Sequence, residues 1–158
     1  MRRFVAAAAL TIGTLALSAC AGGGPAAATI SPAPRADPPT KSALLGIARR
    51  FNDDYAANRV GAVYDRWDAR SRAIIGRAEY VRRHRECHTN PGRATVEGAT
   101  RAGRWWLVRY SISGTILTDY WRYEHGRWLF DLVRSNPDAV RLYRLAPAAY
   151  VAAIGCHP

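Results

Sequence analysis

Asp119-Tyr120-Trp121-Arg122-Tyr123-Glu124-His125-Gly126-Arg127-Trp128 is the stretch that decides the fold. Aromatic and polar side chains alternate up to His125-Gly126 and resume after it, the pattern of two antiparallel strands joined by a two-residue hairpin. Ser113-Gly114 and Ala102-Gly103 repeat the signal upstream, so Ala94 to Val133 reads as a four-stranded antiparallel meander. Two-residue loops set the register: Ile112 faces Thr115, Tyr110 faces Leu117, Val108 faces Asp119 and Trp106 faces Trp121. Across the next turn Glu124 faces Arg127, Tyr123 faces Trp128 and Trp121 faces Phe130. One sheet face then collects Trp106, Val108, Tyr110, Leu117, Asp119, Trp121, Tyr123, Trp128, Phe130 and Leu132, and is expected to be buried. The other carries Arg109, Ser111, Thr118, Arg122 and Asp131 with Trp105, Leu107 and Tyr120, and is expected to be partly wet. Ala102-Gly103 is the poorer turn; a slip of one there decides whether Glu97 joins Asp119 on the inner face.

Helical periodicity precedes the meander. Thr40 can cap a helix whose apolar residues Leu44, Ile47, Ala48, Phe51 and Tyr55 recur on one face. A short second helix carries Val63, Tyr64 and Trp67, and a third, Arg77 to Cys87, aligns Tyr80, Val81 and His84. His84 on that stripe reads as a packed, hydrogen-bonded core histidine, and Asn90-Pro91-Gly92 ends the helical region. After the meander, Ser135 or Asn136 before Pro137 opens a turn of helix through Leu142. Pro147 to Ile154 forms a last helix, stopped by Gly155.

The first nineteen residues have the layout of an export signal: Arg2-Arg3, an uncharged apolar run from Phe4 to Leu17, then small residues. Leu17-Ser18-Ala19-Cys20 resembles the lipobox of bacterial lipoproteins. That resemblance implies a diacylglyceryl group on Cys20, cleavage before it, and an extracytoplasmic protein held on a membrane face. The apolar run of about fourteen residues is short of the roughly 20 that span a bilayer. Residues 20–40, with Gly22-Gly23-Gly24 and five prolines, cannot bury a core and read as a flexible tether. Residues 41–158 form the expected globular domain.

Charge and cysteines narrow the partners. Every basic residue but Lys41 is arginine, and losing Arg2 and Arg3 with the signal lowers the basic count from 23 to 21 against 12 acidic residues, a net +9. This favours an anionic envelope component; the scatter of the arginines and the export route argue against nucleic acid. Cys87 and Cys156 remain for a disulfide in an oxidising compartment, which would tie the C-terminal helix to the domain. Cys87-His88 and Cys156-His157 also offer two sulfurs and two nitrogens, a zinc set at dispersed spacing. His84-Arg85-Glu86-Cys87-His88 places its glutamate one position too late for the metalloprotease motif. No motif for a cofactor is read.

Helices followed by an aromatic meander, above all residues 119–128, resemble the nuclear-transport-factor-2-like, or SnoaL-like, superfamily over roughly residues 41–134. The resemblance implies an α+β cone, with helices packed on a curved four-stranded antiparallel sheet and a pocket between them. Residues expected around that pocket are Trp106, Tyr110, Asp119, Trp121, Tyr123 and Phe130. Two functions follow from different classes. One is a non-catalytic interaction or ligand-binding module on the membrane. The other is a SnoaL-like small-molecule enzyme or carrier, in which desolvated Asp119 moves a proton and Tyr110 stabilises an oxyanion. A solvent-open cavity holding Asp119 and Tyr110 would favour the small-molecule reading; a filled interior with an exposed apolar patch would favour the interaction surface.

Overall fold

The structure, a computed structural model, describes residues 35–88 and 92–156, which fall in one unit, Arg35–Pro158. The expected export signal, Cys20 and most of the expected tether lie outside the described residues, as do Asn90, Pro91 and His157. Four helices come first: α1 (Lys41–Ala56), α2 (Val60–Tyr64), α3 (Ala69–Arg72) and α4 (Arg77–Glu86). The strands β1 (Thr95–Ala102), β2 (Trp105–Ile112), β3 (Thr115–Glu124) and β4 (Arg127–Phe130) follow, then α5 (Leu132–Ser135), α6 (Pro137–Tyr143) and α7 (Pro147–Ile154). The sheet is an antiparallel meander in the order β1-β2-β3-β4. The chain is therefore α+β, with helices on both sides of the sheet in sequence. No helix among the described residues is long and apolar enough to cross a membrane.

Local chemistry explains the helix boundaries. Thr40 Oγ1 accepts the Ala43 amide at 3.2 Å and opens α1, which buries Leu44, Ile47, Ala48 and Phe51 at helical spacing. Asn136 Oδ1 accepts the Ala139 amide at 2.9 Å ahead of Pro137, and Gly155, at φ 73°, ends α7 in the left-handed conformation. Cys87, at the end of α4, is disulfide-bonded to Cys156, with their Cα atoms 5.7 Å apart. Both sulfurs are thereby consumed, which removes them from the zinc set.

The register agrees with the sequence expectation across both later turns, from Ile112↔Thr115 to Trp106↔Trp121 and from Glu124↔Arg127 to Trp121↔Phe130. The first turn is displaced by one residue: Ala102 pairs with Trp105, so Gly103-Arg104 forms the loop and Gly103 takes φ 60°. A register shift between Val96 and Gly98 then leaves Glu97 exposed, where it accepts from Arg109 Nη2 at 3.2 Å. Glu97 accordingly does not share a face with Asp119.

Four further corrections concern what packs where. Trp67 lies beyond α2 rather than on it. Its segment runs parallel to the end of β4: Phe130 N donates to Arg66 O at 2.8 Å and Asp68 N donates to Phe130 O at 2.9 Å. Second, β4 stops at Phe130, because α5 supplies the partners β3 still needs. Asp131 N donates to Tyr120 O at 2.9 Å, and Ser135 Oγ accepts from Tyr120 N at 2.8 Å. Third, Asp131 is buried instead of wet; its carboxylate accepts the Arg134 amide at 2.9 Å and caps α5. Finally, the chain is held from Asp37, ahead of Thr40. Its amide donates to Gly126 O at 2.8 Å, its carboxylate accepts from Trp128 N at 3.0 Å, and Tyr123 Oη donates to its carbonyl at 2.6 Å. Composition marks this segment as tether because it contains no residues for a core. What fixes it is polar bonding to one hairpin.

Candidate functional site

Asp119 reaches the interior because β3 alternates about the fully buried Trp121, and its pair Val108 is fully buried as well. Tyr110 stands one inward position along β2, so its side chain lies diagonally beside the carboxylate. Tyr110 Oη donates to Asp119 Oδ1 at 3.3 Å, long for such a bond. Only 5 % of Asp119 is exposed. Burial pushes its carboxyl up to about 7, against the opposing pull of the Tyr110 hydroxyl. Burial, followed by the charge of Asp119, raises the Tyr110 phenol well above its ordinary value.

The two residues face a cavity of about 460 Å³. Its walls are aromatic: Phe51 and Tyr55 from α1, Trp67, Tyr80 from α4, Phe130 from β4 and Tyr143 from α6. Leu117, Asn136, Pro137 and Asp138 also line it and are exposed, which marks where it opens. The size and the predominantly apolar lining with a few polar groups are those of a small-molecule site. Trp67 Nε1 is buried with no hydrogen-bond partner among the described residues.

A smaller cavity of about 210 Å³ shares Tyr55, Asn136, Asp138, Ala139 and Tyr143 with the first. Its own residues include His84, Tyr150 and Ile154. His84 Nε2 and Tyr143 Oη are hydrogen-bonded at 2.9 Å, and the His84 ring lies 4.5 Å from Tyr80. Burial, and secondarily the charge of His88, lowers His84 to about 4, so the imidazole is neutral across the physiological range. This agrees with a packed core histidine.

Of the six residues expected around a pocket, Tyr110, Asp119 and Phe130 line it, and Trp106, Trp121 and Tyr123 do not. Phe51 occupies the space over Trp121, edge-on at 5.1 Å. Trp106 packs against Trp128 at 6.0 Å, and Tyr123 is turned to Asp37. The sequence carries no site signal for the helical contributors Tyr55, Tyr80 and Tyr143 or for the α5–α6 junction. Tyr55 and Tyr80 did stand out as apolar-stripe positions, but periodicity shows which way a residue faces and not whether the facing space is filled. No group of metal-ligating side chains is found among the described residues.

On the opposite sheet face Trp105 is flanked by guanidinium groups. Arg104, Arg122 and Arg134 lie 5.2, 5.3 and 5.0 Å from its ring, and Arg122 Nη2 also donates to buried Asp68 at 3.0 Å. No family model matches this chain, no curated protein matches it, and no solved structure matches it.

Proposed function

We propose that this chain is an extracytoplasmic lipoprotein, fastened to a membrane through Cys20, whose domain is an NTF2-like ligand-binding module. The ligand is a small, largely apolar molecule held in the cavity of Phe51, Trp67, Tyr80 and Phe130. The observation that carries this reading is the 460 Å³ cavity that opens beside exposed Leu117 and holds a buried carboxyl and its tyrosine. A filled interior would have favoured an interaction surface instead. The arginine excess supports attraction to an anionic envelope surface, at which a tethered receptor would wait for its ligand.

The pocket is tested with N-phenyl-1-naphthylamine, whose fluorescence rises in apolar surroundings. One probe should bind per chain, and Ala139→Trp, which places bulk at a position lining both cavities, should abolish binding while circular dichroism is unchanged. Equal binding by the variant would refute the assignment. The anchor is tested separately: labelled fatty acid should enter the wild type and not Cys20→Ala.

One observation favours a second reading, a SnoaL-like enzyme. A carboxyl titrating near 7 within an apolar cavity is suited to accept a proton, with the Tyr110 hydroxyl beside it. Ring opening of 5-nitrobenzisoxazole needs little beyond such a base. Its rate should rise through pH 7 in the wild type and disappear in Asp119→Asn. No acceleration by the wild type would leave binding alone as the function.

A further inference from the structure

The carboxylates of this domain that are buried, Asp68, Asp119 and Asp131, and the half-buried Asp37 are not treated alike. Asp68 accepts the Ser71 amide at 2.7 Å and Arg122 Nη2 at 3.0 Å, Asp131 accepts the Arg134 amide, and Asp37 accepts Arg66 and the Trp128 amide. Each thus has a backbone donor, a guanidinium or both. Asp119 has neither: among the described residues its one bond is the long one from Tyr110. A buried carboxylate without a cation is costly. Here it fronts a cavity rather than packed side chains.

The lining deepens the contrast. This chain is rich in arginine, and none of the arginines among the described residues lines either cavity. The charged side chains in the two linings are the carboxylates Asp119 and Asp138, and the neutral His84 completes the titratable set apart from the tyrosines. An anionic ligand would meet no cationic donor and at least one like charge. A cation would meet a buried counter-charge and aromatic faces whose quadrupoles attract positive charge. We propose that the natural ligand carries an organic ammonium group, held against Asp119 with its apolar body among Phe51, Trp67, Tyr80 and Phe130. This rests on the small-molecule reading and specifies the chemical class.

The cation would also supply what the fold withholds. The titratable groups that share the cavity with Asp119 are Tyr110 from β2, Tyr55 from α1, Tyr80 from α4, and Tyr143 and Asp138 from α6, with His84 bonded to Tyr143 on its far side in the smaller cavity. Asp138 is itself ion-paired with Arg141. Tyr80, Tyr110 and Tyr143 titrate above the range of pH 5 to 8 and His84 below it, so Asp119 sets the pH dependence within it. An ammonium ligand binds the ionised carboxylate, and protons compete with it.

Calorimetric titration of the intact chain with benzyltrimethylammonium, benzyl alcohol and benzenesulfonate tests the assignment. The quaternary cation has no proton of its own to lose, so any pH dependence belongs to the protein. It should bind at least tenfold more tightly than the alcohol at pH 8, and the sulfonate should not bind. Its affinity should rise about tenfold per pH unit from 5 until it levels near 7, and Asp119→Asn should abolish both the preference and the rise while retaining N-phenyl-1-naphthylamine. A pH-independent affinity in the wild type, or a preference for the sulfonate, would overturn the ammonium assignment, and the wild-type profile decides this even if the asparagine variant misfolds. Failure of all three phenyl-bearing probes with naphthylamine still bound rejects the ammonium class alone; failure of naphthylamine rejects the pocket.

Discussion

Asp119 and His84 are both held toward neutrality, and they act on stability in opposite pH windows. Asp119 titrates near 7 in the folded chain and near 3.8 unfolded, so the folded state binds its proton more tightly. The contribution of Asp119 to stability is then most favourable below about pH 4, declines as pH rises, and carries the full penalty above 7. His84 works the other way. Its value falls from 6.5 to about 4, so its contribution is intact above 6.5 and is lost as pH falls toward 4. In urea unfolding, Asp119→Asn should match the wild type near pH 4 and exceed it by roughly 2–4 kcal/mol at pH 8. A difference that does not vary with pH would show that Asp119 holds no shifted proton. The inward position of Asp119 was legible, because strand alternation and a two-residue turn dictate it. Its proton affinity was not, since that comes from helices placed over it from both ends of the chain.

Among the elements, the hairpins show how local sterics set register. Ser113 and His125 adopt φ 49° and precede Gly114 and Gly126 at φ 83° and 74°, the paired left-handed conformations of a tight hairpin. Asparagine tolerates that region better than serine, so Ser113→Asn should raise stability by about 0.5 kcal/mol and Gly114→Ala should lower it by about 1 kcal/mol. Thermal unfolding reads both, and unchanged midpoints would argue against this turn geometry. At the first turn only Gly103 is left-handed, and the loop begins there because glycine must take that position. Ala102 remains in the strand, and it is the register shift between Val96 and Gly98, not the turn, that takes Glu97 off the inner face. The Asp37 strap belongs to the same hairpin chemistry. Burial pushes its carboxyl up, but the Arg66 and Trp128 hydrogen bonds, with the charges of Arg66 and Arg127, outweigh this and hold it below the usual range. Its contribution is therefore present above about pH 4 and lost as pH falls through the lowered value. Asp37→Ala should cost about 1–3 kcal/mol at pH 7, with the difference narrowing in acid.

For the domain as a whole, the bond between Cys87 and Cys156 connects α4 to the end of α7 across a sequence separation of 69. Between them lie the entire meander and the helices bearing Tyr143 and Tyr150. Chain-entropy arguments assign such a loop about 4 kcal/mol. Cys156→Ser should therefore lower unfolding stability by roughly 2–4 kcal/mol and increase hydrogen exchange in α7 more than in β2. Uniform exchange across both would deny that the bond acts on α7. Strand order, the pairing of β2 with β3 and of β3 with β4, the cap of α1, the start of α6 at Pro137, the stop at Gly155 and the cysteine partners could all be read along the chain. These depend on alternation, on glycine and proline sterics, and on the two cysteines that remain when Cys20 is set aside for the proposed lipid. The boundary between core and cavity could not be read in this way. Trp121 became core because Phe51 lies on it, Tyr123 was drawn to Asp37, and Tyr80 and Tyr143, though packed on each other, border the cavity. Burial and proton affinity depend on neighbours far away in sequence, and only the folded chain brings those neighbours together.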